Sequence, residues 1–264
     1  MFDVDNNESH NLILLVDAGN SSVKWAMKTT AGMLAMQRSA YPEQADENFF
    51  INSWSACEKP EKVFLTCVAG ERILLAIEKA CMLLWSIQVE RVTAKGQERG
   101  LTNAYTDLVK LGSDRWCAMI AAYSLTKSNI VVVDCGSAIT IDVINNMGLH
   151  MGGYILPGLY MMKQSLSQRT AEIKSDKSDQ VIPSVKPATS TMACIDSGVC
   201  LASISAIEYV LAEQQNQLGE LKCFLTGGDA DSIAGLLSVK CQVVPNLVLH
   251  GLAVIAELND TLDD

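Results

Sequence analysis

Two short segments combine an apolar run with a small polar turn, a pairing that suits phosphate binding. The first reads LLVDAGNSSVKW from Leu14 to Trp25, and the second reads VVVDCGSAITID from Val131 to Asp142. Glycine lets backbone N–H groups approach a phosphate closely, and the aspartate can hold a hydrated cation that bridges phosphate oxygens. Each turn alone is more often a tight hairpin. The pair together predicts a triphosphate that is held by two related turns.

A third glycine-rich turn, TGGDA at Thr226 to Ala230, follows a predicted strand. It suits a close approach to the flat face of a nucleobase. The sequence contains neither GxxxxGK[ST] nor GxGxxG, so neither a P-loop nor a Rossmann fingerprint competes with this interpretation. Two phosphate turns followed by a late glycine pair resemble the actin, sugar-kinase and Hsp70 nucleotide-binding superfamily.

The segment LGSDRW contains a candidate for the group that activates a phosphoryl acceptor. A carboxylate at a helix start, here Asp114, can accept a hydroxyl proton, and Arg115 beside it can neutralise an anionic substrate. The alternative is that Asp114 only caps the helix and that Arg115 is a solvated surface residue.

The elements that must position these residues alternate between strands and helices. Strands are expected at Leu12–Val16, Ser22–Met27, Val63–Val68, Ile87–Val92, Ile130–Val133, Thr140–Ile144 and Lys222–Leu225. Helices are expected at Glu71–Leu84, Gly112–Tyr123, Leu159–Leu166, Asp196–Gln217 and Leu247–Leu258. Because the scheme occurs twice, we predict an α/β protein with two similar actin/ribonuclease-H-like halves and an ATP cleft between them.

The chain divides into three predicted regions. Residues 1–11 are expected to be a flexible extension that is not a secretory signal, because they are acidic and polar. Residues 12–112 form the first half with its phosphate turn. Residues 113–264 form the second half, with a phosphate turn, a substrate loop and the TGGDA turn. The polar stretch Ser167–Ser190 contains two prolines and predicts a mobile loop.

The composition limits the partners and the compartment. A net charge of −10 argues against nucleic acid or an anionic membrane as the main partner, because both need a basic footprint. The nine cysteines include no CxxC pair, which favours reduced thiols in a cytoplasmic protein. The uncharged apolar runs are too short to span a bilayer.

Five motifs in this order resemble type III pantothenate kinase: DAGNSSVKW, GSDR, DCGSAITID, GGYILPGLYMM and TGGDA. The resemblance covers nearly all of Leu12 to Leu258. It implies phosphorylation of the primary hydroxyl of pantothenate by Mg-ATP, the first step of coenzyme A biosynthesis. It also implies a homodimer with a composite site and a monovalent cation, K⁺ or NH₄⁺.

The resemblance assigns roles to particular positions. Asp114 matches the general base, Asp134 the monovalent-cation ligand and Ser137 an ATP contact. Thr191 matches a threonine that reaches pantothenate in the neighbouring subunit's site. The first ATP-phosphate segment comprises Asp17, Ala18, Gly19, Asn20, Ser21, Ser22, Val23 and Lys24. The pantothenate pocket comprises Tyr105, Gly112, Ser113, Asp114, Arg115 and Thr191.

Two positions depart from the family pattern, and two other functions compete. Ser137 replaces a more usual Thr, and Cys194 stands where Ala is typical. The family has relatives described as accessory factors for transcriptional activation, so a non-catalytic nucleotide-binding protein is the alternative. The presence of Asp114 and Asp134 favours the kinase. A sugar kinase is the weaker alternative, since Tyr105 and Arg115 suit a carboxylate-bearing substrate better.

Overall fold

A computed structural model describes residues 12–169 and 181–259. The predicted extension 1–11 and residues 170–180 of the predicted loop lie outside the described residues. The chain forms two compact units. The first comprises residues up to Thr93 together with the segment from Leu252, and the second comprises Ala94–Gly251. The change from the first unit to the second therefore lies at Thr93, whereas the sequence placed it after residue 112.

The first unit contains a six-stranded sheet with two helices. Its strands are β1 (Ile13–Ala18), β2 (Ser22–Thr29), β3 (Gly32–Met33), β4 (Gln37–Ala40), β5 (Lys62–Cys67) and β6 (Val89–Arg91), and its helices are α1 (Glu47–Trp54) and α2 (Glu71–Trp85). The order of the sheet is β3-β2-β1-β5-β6, and β4 also pairs with β2. All six residues of β1 are buried, as expected for a central strand that is covered on both faces of the sheet.

The core of the first unit is rich in aromatic side chains. Phe50, Trp54 and Trp85 pack with the apolar residues of β1, β2 and β5. The helix α1, which the sequence patterns did not predict, begins after Asp46, whose carboxylate accepts hydrogen bonds from the backbone N–H groups of Asn48 and Phe49. This N-cap satisfies two of the donors that a helix start leaves unpaired.

The second unit contains a five-stranded sheet with helices. Its strands are β7 (Gln97–Glu98), β8 (Leu101–Thr102), β9 (Ile130–Cys135), β10 (Ala138–Ile144), β11 (His150–Pro157), β12 (Lys222–Thr226) and β13 (Gln242–Val243), and β7 and β8 form a separate hairpin. Its helices are α3 (Ser113–Thr126), α4 (Leu159–Arg169), α5 (Thr191–Leu218), α6 (Ala230–Ala234) and the first part of α7 (Leu247–Asn259). The order of the large sheet is β11-β10-β9-β12-β13.

The two large sheets repeat one arrangement of strands. In the first unit, β1 pairs antiparallel with β2 and parallel with β5, which pairs parallel with β6. In the second unit, β9 pairs antiparallel with β10 and parallel with β12, which pairs parallel with β13. The prediction of an α/β protein with two similar halves is confirmed.

The helix α5 is long and apolar enough to cross a membrane by length and composition, and 50% of its most apolar stretch is buried inside the protein. The buried side chains include Val199, Ile204 and Ile207, which pack in the core of the second unit with residues of β9 and β10. Since a core helix passes the same length and composition test, we interpret α5 as a helix of the core.

Candidate functional site

The first turn joins β1 to β2 in the first unit. Ala18 pairs with Val23 at the end of the hairpin, and the backbone N–H of Gly19 donates to the carbonyl of Ser22 over 3.1 Å. The tip residues Asn20 and Ser21 are exposed, whereas Ala18, Ser22 and Val23 are buried. Side-chain contact with a ligand is therefore open to the tip, and the buried positions can contribute only as the frame of the turn.

Charged side chains lie beside the first turn. Asp17 and Lys24 are opposite each other across the hairpin, with 3.9 Å between the Asp17 Oδ2 and Lys24 Nζ atoms. The Asp17 side chain is 9% exposed, so this carboxylate is largely withdrawn from water. Arg38, which no motif indicated, is exposed, and its Nε donates to the Ser22 hydroxyl over 3.1 Å. Two cationic side chains, Lys24 and Arg38, therefore lie beside the first turn.

The second turn joins β9 to β10. The segment from its aspartate to the residue paired with that aspartate is one residue shorter than in the first turn. Asp134 pairs with Thr140, whereas Asp17 pairs with Lys24. The backbone N–H of Gly136 donates to the carbonyl of Ala138 over 3.1 Å, and Ser137 is exposed at the tip. Both turns thus follow a buried strand and present a small polar tip.

Two glycines from other segments pack against the second turn. A Cβ on Gly158 would lie 2.4 Å from the Gly136 carbonyl oxygen, and one on Gly227 would lie 2.4 Å from the Cys135 carbonyl oxygen. The φ angle of Gly227, +97°, also favours glycine. The TGGDA turn and the glycine before α4 therefore support the second turn. Gly227, the first glycine of TGGDA, must therefore lack a side chain because it packs against the Cys135 carbonyl, a contact that the sequence did not predict.

Asp134 is half-buried beside the same glycine. The Asp134 Oδ1 atom lies 2.6 Å from the point that a Cβ on Gly227 would occupy, and the Cys135 carbonyl oxygen borders that point too. Gly227 thus packs closely against the Asp134 carboxylate and the Cys135 carbonyl, and a carboxylate oxygen is a ligand that hard cations prefer. Within the described ranges, no group of three or more His, Cys, Asp and Glu side chains is placed to hold a metal ion.

Asp114 lies in the first turn of α3, and its carboxylate is held by the backbone. The helix begins after Gly112, which serves as the N-cap without a side-chain hydrogen bond. The Asp114 Oδ1 atom accepts a hydrogen bond of 2.8 Å from the backbone N–H of Arg115. A Cβ on Gly112 would lie 2.6 Å from that same oxygen. Gly112 therefore leaves the space that the Asp114 carboxylate occupies.

The pKa of Asp114 is raised above its ordinary value. Burial is the largest cause, because it disfavours the charged carboxylate. The Arg115 backbone N–H and the Arg115 charge act in the opposite direction but do not outweigh burial. A carboxylate with a raised pKa holds a proton more strongly, which suits a group that accepts one during a reaction.

Arg115 forms a buried, bidentate ion pair that the sequence analysis did not predict. Its Nε donates to Asp142 Oδ2 over 2.9 Å, and its NH2 group donates to Asp142 Oδ1 over 2.5 Å. Burial alone would lower the pKa of the guanidinium, but the Asp142 hydrogen bonds reverse this and raise the pKa. The structure therefore contradicts the alternative that Arg115 is a solvated surface residue.

Two further residues complete this cluster around Arg115. The NH1 group of Arg115 donates to the Tyr105 hydroxyl over 2.9 Å. His150 is fully buried, and its Nε2 lies 3.0 Å from Asp142 Oδ1. The rings of Tyr105 and His150 are stacked, with 6.0 Å between their centroids. The structure thus brings together Tyr105 and Arg115, two predicted pocket residues, and adds Asp142 and His150, which the motifs did not identify.

Thr191 is exposed at the N-terminus of α5. Within the described residues, no hydrogen bond joins Thr191 to Tyr105 or Arg115. Thr191 and Cys194 line a cavity of about 840 Å³ between α4 and α5. A buried ion pair of 2.9 Å between Lys163 Nζ and Asp196 Oδ1 ties these helices together.

The sequence of this chain matches one protein family and many of its members. The model of the type III pantothenate kinase family matches residues 13–213. A type III pantothenate kinase from Marinobacter nauticus is 34% identical over 245 residues, covering 93% of this chain and 98% of the relative. Another from Azoarcus sp. is 36% identical over 247 residues, covering 93% of this chain and 90% of the relative.

Solved structures agree on the fold. MreB 5 of Spiroplasma citri, bound to AMPPNP, has a TM-score of 0.51 at 10% identity, over 96% of this chain and 98% of that one. A Campylobacter jejuni protein, provisionally assigned to the Baf family of transcriptional activators, has a TM-score of 0.58 at 25% identity, over 94% and 99% of the two chains. The fold is that of the actin-like kinases.

The sequence relatives decide between the competing functions. A type III pantothenate kinase from Nitrosococcus oceani is also 34% identical, over 93% of this chain and 94% of the relative. These relatives agree with the family match and do not favour the accessory-factor alternative. The chain therefore belongs to the type III pantothenate kinase family, and it is an enzyme that phosphorylates pantothenate with ATP in the first step of coenzyme A biosynthesis.

Proposed function

We propose that Asp114 is the general base of this reaction. The primary hydroxyl of pantothenate attacks the γ-phosphorus of ATP, the bond to the β,γ-bridging oxygen breaks, and Asp114 takes the hydroxyl proton. The observation that carries this proposal is the carboxylate of Asp114, which is held at the start of α3 and has a raised pKa. Because phosphoryl transfer usually passes through a loose transition state, positioning should contribute more than base strength.

Each of the two turns is assigned contacts to ATP in this proposal. The ATP-binding segments comprise Asp17, Ala18, Gly19, Asn20, Ser21, Ser22, Val23, Lys24 and Ser137, with the buried Ala18, Ser22 and Val23 as the frame of the first turn. The exposed tips offer backbone N–H groups and hydroxyls to phosphate oxygens, and Lys24 offers a positive charge. Mg²⁺, when bound with ATP, neutralises charge that develops on the phosphates. We assign the orientation of such a hydrated ion to Asp17, the carboxylate that lies 3.9 Å from Lys24 Nζ beside the first turn.

Asp134 holds a monovalent cation, K⁺ or NH₄⁺, in this proposal. Its support is the half-buried Asp134 carboxylate at the end of β9, which lies beside Gly227 next to the second turn. A cation bound there would offset part of the negative charge of the phosphates.

Pantothenate occupies the region of Tyr105, Gly112, Ser113, Asp114 and Arg115. Tyr105 supplies a hydroxyl, and Gly112 leaves room for the Asp114 carboxylate. Arg115 has two guanidinium N–H groups beyond the three that Asp142 and Tyr105 accept, and we assign these to the substrate carboxylate.

We further propose a homodimer in which Thr191 of one subunit completes its neighbour's pantothenate site. Exposed large apolar side chains support an interface, since contiguous apolar surface often marks a contact between chains. On α5 they include Leu201 and Tyr209, and on β11 they include Tyr154 and Ile155. The enzyme acts in the cytoplasm, and neither nucleic acid nor a membrane is its partner, in keeping with the net charge of −10.

A coupled assay of ATP consumption tests these assignments together. Pantothenate should stimulate ATP consumption by the purified protein, and K⁺ or NH₄⁺ should increase the rate relative to Na⁺. Stimulation by a neutral polyol, without stimulation by pantothenate, would reject the substrate assignment. Equal stimulation by pantothenate in Na⁺ and in K⁺ would retain the substrate and reject the cation.

A further inference from the structure

We propose that Asp142, supported by His150, is a positioning residue for the acceptor site. Asp142 holds Arg115 in one orientation, and Arg115 in turn fixes the Tyr105 hydroxyl as a hydrogen-bond donor to pantothenate. This inference rests on the proposed function, because it requires Tyr105 to face the substrate. It assigns a role to two buried polar residues, Asp142 and His150, that the reaction itself does not use.

Asp142 and Tyr105 together occupy most of the hydrogen-bond donors of Arg115. A guanidinium has five N–H groups in a rigid fork. Asp142 accepts from Nε and NH2 of Arg115, and the Tyr105 hydroxyl accepts from NH1. Three of the five groups are therefore committed before a substrate binds. The Asp142 side chain is 2% exposed, so water competes little for these bonds.

A second side chain, His150, holds the carboxylate of Asp142 in place. His150 is fully buried, and its Nε2 lies 3.0 Å from the Oδ1 atom that also accepts from Arg115. Because an ionised carboxylate can only accept hydrogen bonds, Nε2 carries the hydrogen in this contact. Asp142 thus accepts from two side chains, Arg115 and His150, which leaves its carboxylate little freedom to rotate.

The strand register explains why the pair fits in this place. Asp142 on β10 lies opposite Gly153 on β11. A Cβ on Gly153 would lie 2.5 Å from Asp142 Oδ1 and 2.8 Å from the NH2 atom of Arg115. Any side chain at Gly153 would therefore displace one member of the ion pair. The glycine here provides space for the pair.

Arg115 links the ion pair to Tyr105 through a hydrogen bond to the Tyr105 hydroxyl. The Tyr105 hydroxyl accepts from Arg115, so its own hydrogen remains available for donation. A hydroxyl that accepts from a cation is polarised and becomes a better donor. Tyr105 also stacks on His150, with an angle of 15° between the ring planes. The same group of residues therefore holds Tyr105 by its hydroxyl and by its ring.

A double-mutant cycle on Asp142 and Tyr105 tests the inference. Tyr105→Phe should raise the KM for pantothenate about 2- to 13-fold, the range for one neutral hydrogen bond. Asp142→Asn should raise the same KM within this range while the KM for ATP stays unchanged. In the Tyr105→Phe background, Asp142→Asn should add less than about twofold, because its effect passes through the missing hydroxyl.

Control variants separate positioning from loss of stability. Ile207→Val, on α5, removes one buried methyl group from the hydrophobic core of the second unit. It should lower the melting temperature without changing the KM for pantothenate. His150→Gln keeps an N–H donor near the position of Nε2, so its KM should remain closer to wild type than that of His150→Leu. This pair of variants also tests the inference if Asp142→Asn does not fold.

The outcomes distinguish this inference from the proposed function. Independent, additive effects of Asp142→Asn and Tyr105→Phe would overturn the positioning role. A lower KM in Asp142→Asn would overturn it too, because Arg115 would then be a cation that Asp142 had been neutralising. Equal KM values for both His150 variants would remove His150 from the account. An unchanged KM in Tyr105→Phe would instead reject Tyr105 as a pantothenate contact.

Discussion

Gly112 and Asp114 are fitted to each other at the start of α3, since a Cβ on Gly112 would lie 2.6 Å from the Asp114 Oδ1 atom. The φ angle of Gly112 is −56°, which other residues adopt readily, so the constraint is one of space. Gly112→Ala should fold but displace the proposed base. Since a misplacement of about 1 Å can cost about 100-fold, we expect a loss of that order in kcat.

Gly235→Ala is the matched control for this prediction. Gly235 ends α6 with a φ angle of −68°, and a Cβ there would meet ordinary contacts at 3.6 and 3.7 Å. Its kcat should remain near the wild-type value. A Gly112→Ala enzyme with wild-type kcat would contradict the fitted arrangement of Gly112 and Asp114.

Replacing Asp114 by Asn should reduce activity and increase stability. General-base losses typically cost about 100- to 10,000-fold in rate, and we expect kcat to fall within this range. Because burial raises the pKa of Asp114, the ionised carboxylate destabilises the folded state. Asn has the same shape without this charge, so the variant should melt at a higher temperature at about pH 7.5.

The pH dependence of that stability difference follows from the sign of the shift. The stability contributed by a group with a raised pKa is fully present below the ordinary value of 3.8 and is lost as the pH rises through the raised value. The melting temperatures of the wild type and Asp114→Asn should therefore converge as the pH is lowered from about 7.5 towards 4. A constant or reversed difference would show that the Asp114 carboxylate is not disfavoured by burial.

Asp134 should determine the response to monovalent cations. Wild-type activity should rise when K⁺ or NH₄⁺ replaces Na⁺, and Asp134→Ala should lose both this dependence and most of the activity. Without substrates, K⁺ should raise the melting temperature of the wild type more than Na⁺ does, because a ligand that binds the folded state stabilises it. Equal activity in Na⁺ and K⁺ would remove the cation from the proposal and leave the family assignment intact.

Thr191 tests the shared site. Thr191→Ala should weaken the use of pantothenate by about 2- to 13-fold, the range for one neutral hydrogen bond, with little change in the KM for ATP. Heterodimers of Asp114→Asn and Thr191→Ala subunits should place both lesions in one site and leave the other site wild type. They should show about half the wild-type rate per dimer and a wild-type KM for pantothenate.

The same heterodimers would reveal a threonine that acts within its own subunit. The only active site would then carry Thr191→Ala, and the KM would equal that of the Thr191→Ala homodimer. A monomeric protein in light scattering would reject the shared site without further kinetics.

Local patterns predicted the elements that surround the two turns. The apolar runs ending at Asp17 and Asp134 lie in β1 and β9, because a strand buried on both faces leaves a continuous apolar signature. The strand β11 was not predicted, since Gly152 and Gly153 weaken the strand pattern. The structure accounts for Gly153 by the space that Asp142 and Arg115 need.

Local sequence patterns could not predict the buried ion pairs, because each pair joins residues that are distant in sequence. The sequence pattern predicts a helix from Asp196, but α5 begins at Thr191 after Ser190, whose hydroxyl accepts from the backbone N–H of Ala193. Asp196 is instead buried against Lys163. Arg115 and Asp142 are likewise distant in sequence, and only the folded second unit places them in contact.

The most direct test of the central claim is identification of the product by mass spectrometry. Purified protein, ATP with Mg²⁺, K⁺ and pantothenate should yield 4′-phosphopantothenate and ADP in equal amounts. Asp114→Asn should yield about 100- to 10,000-fold less product per unit time under the same conditions. ATP hydrolysis without phosphorylated pantothenate, or undiminished product formation by Asp114→Asn, would contradict the account.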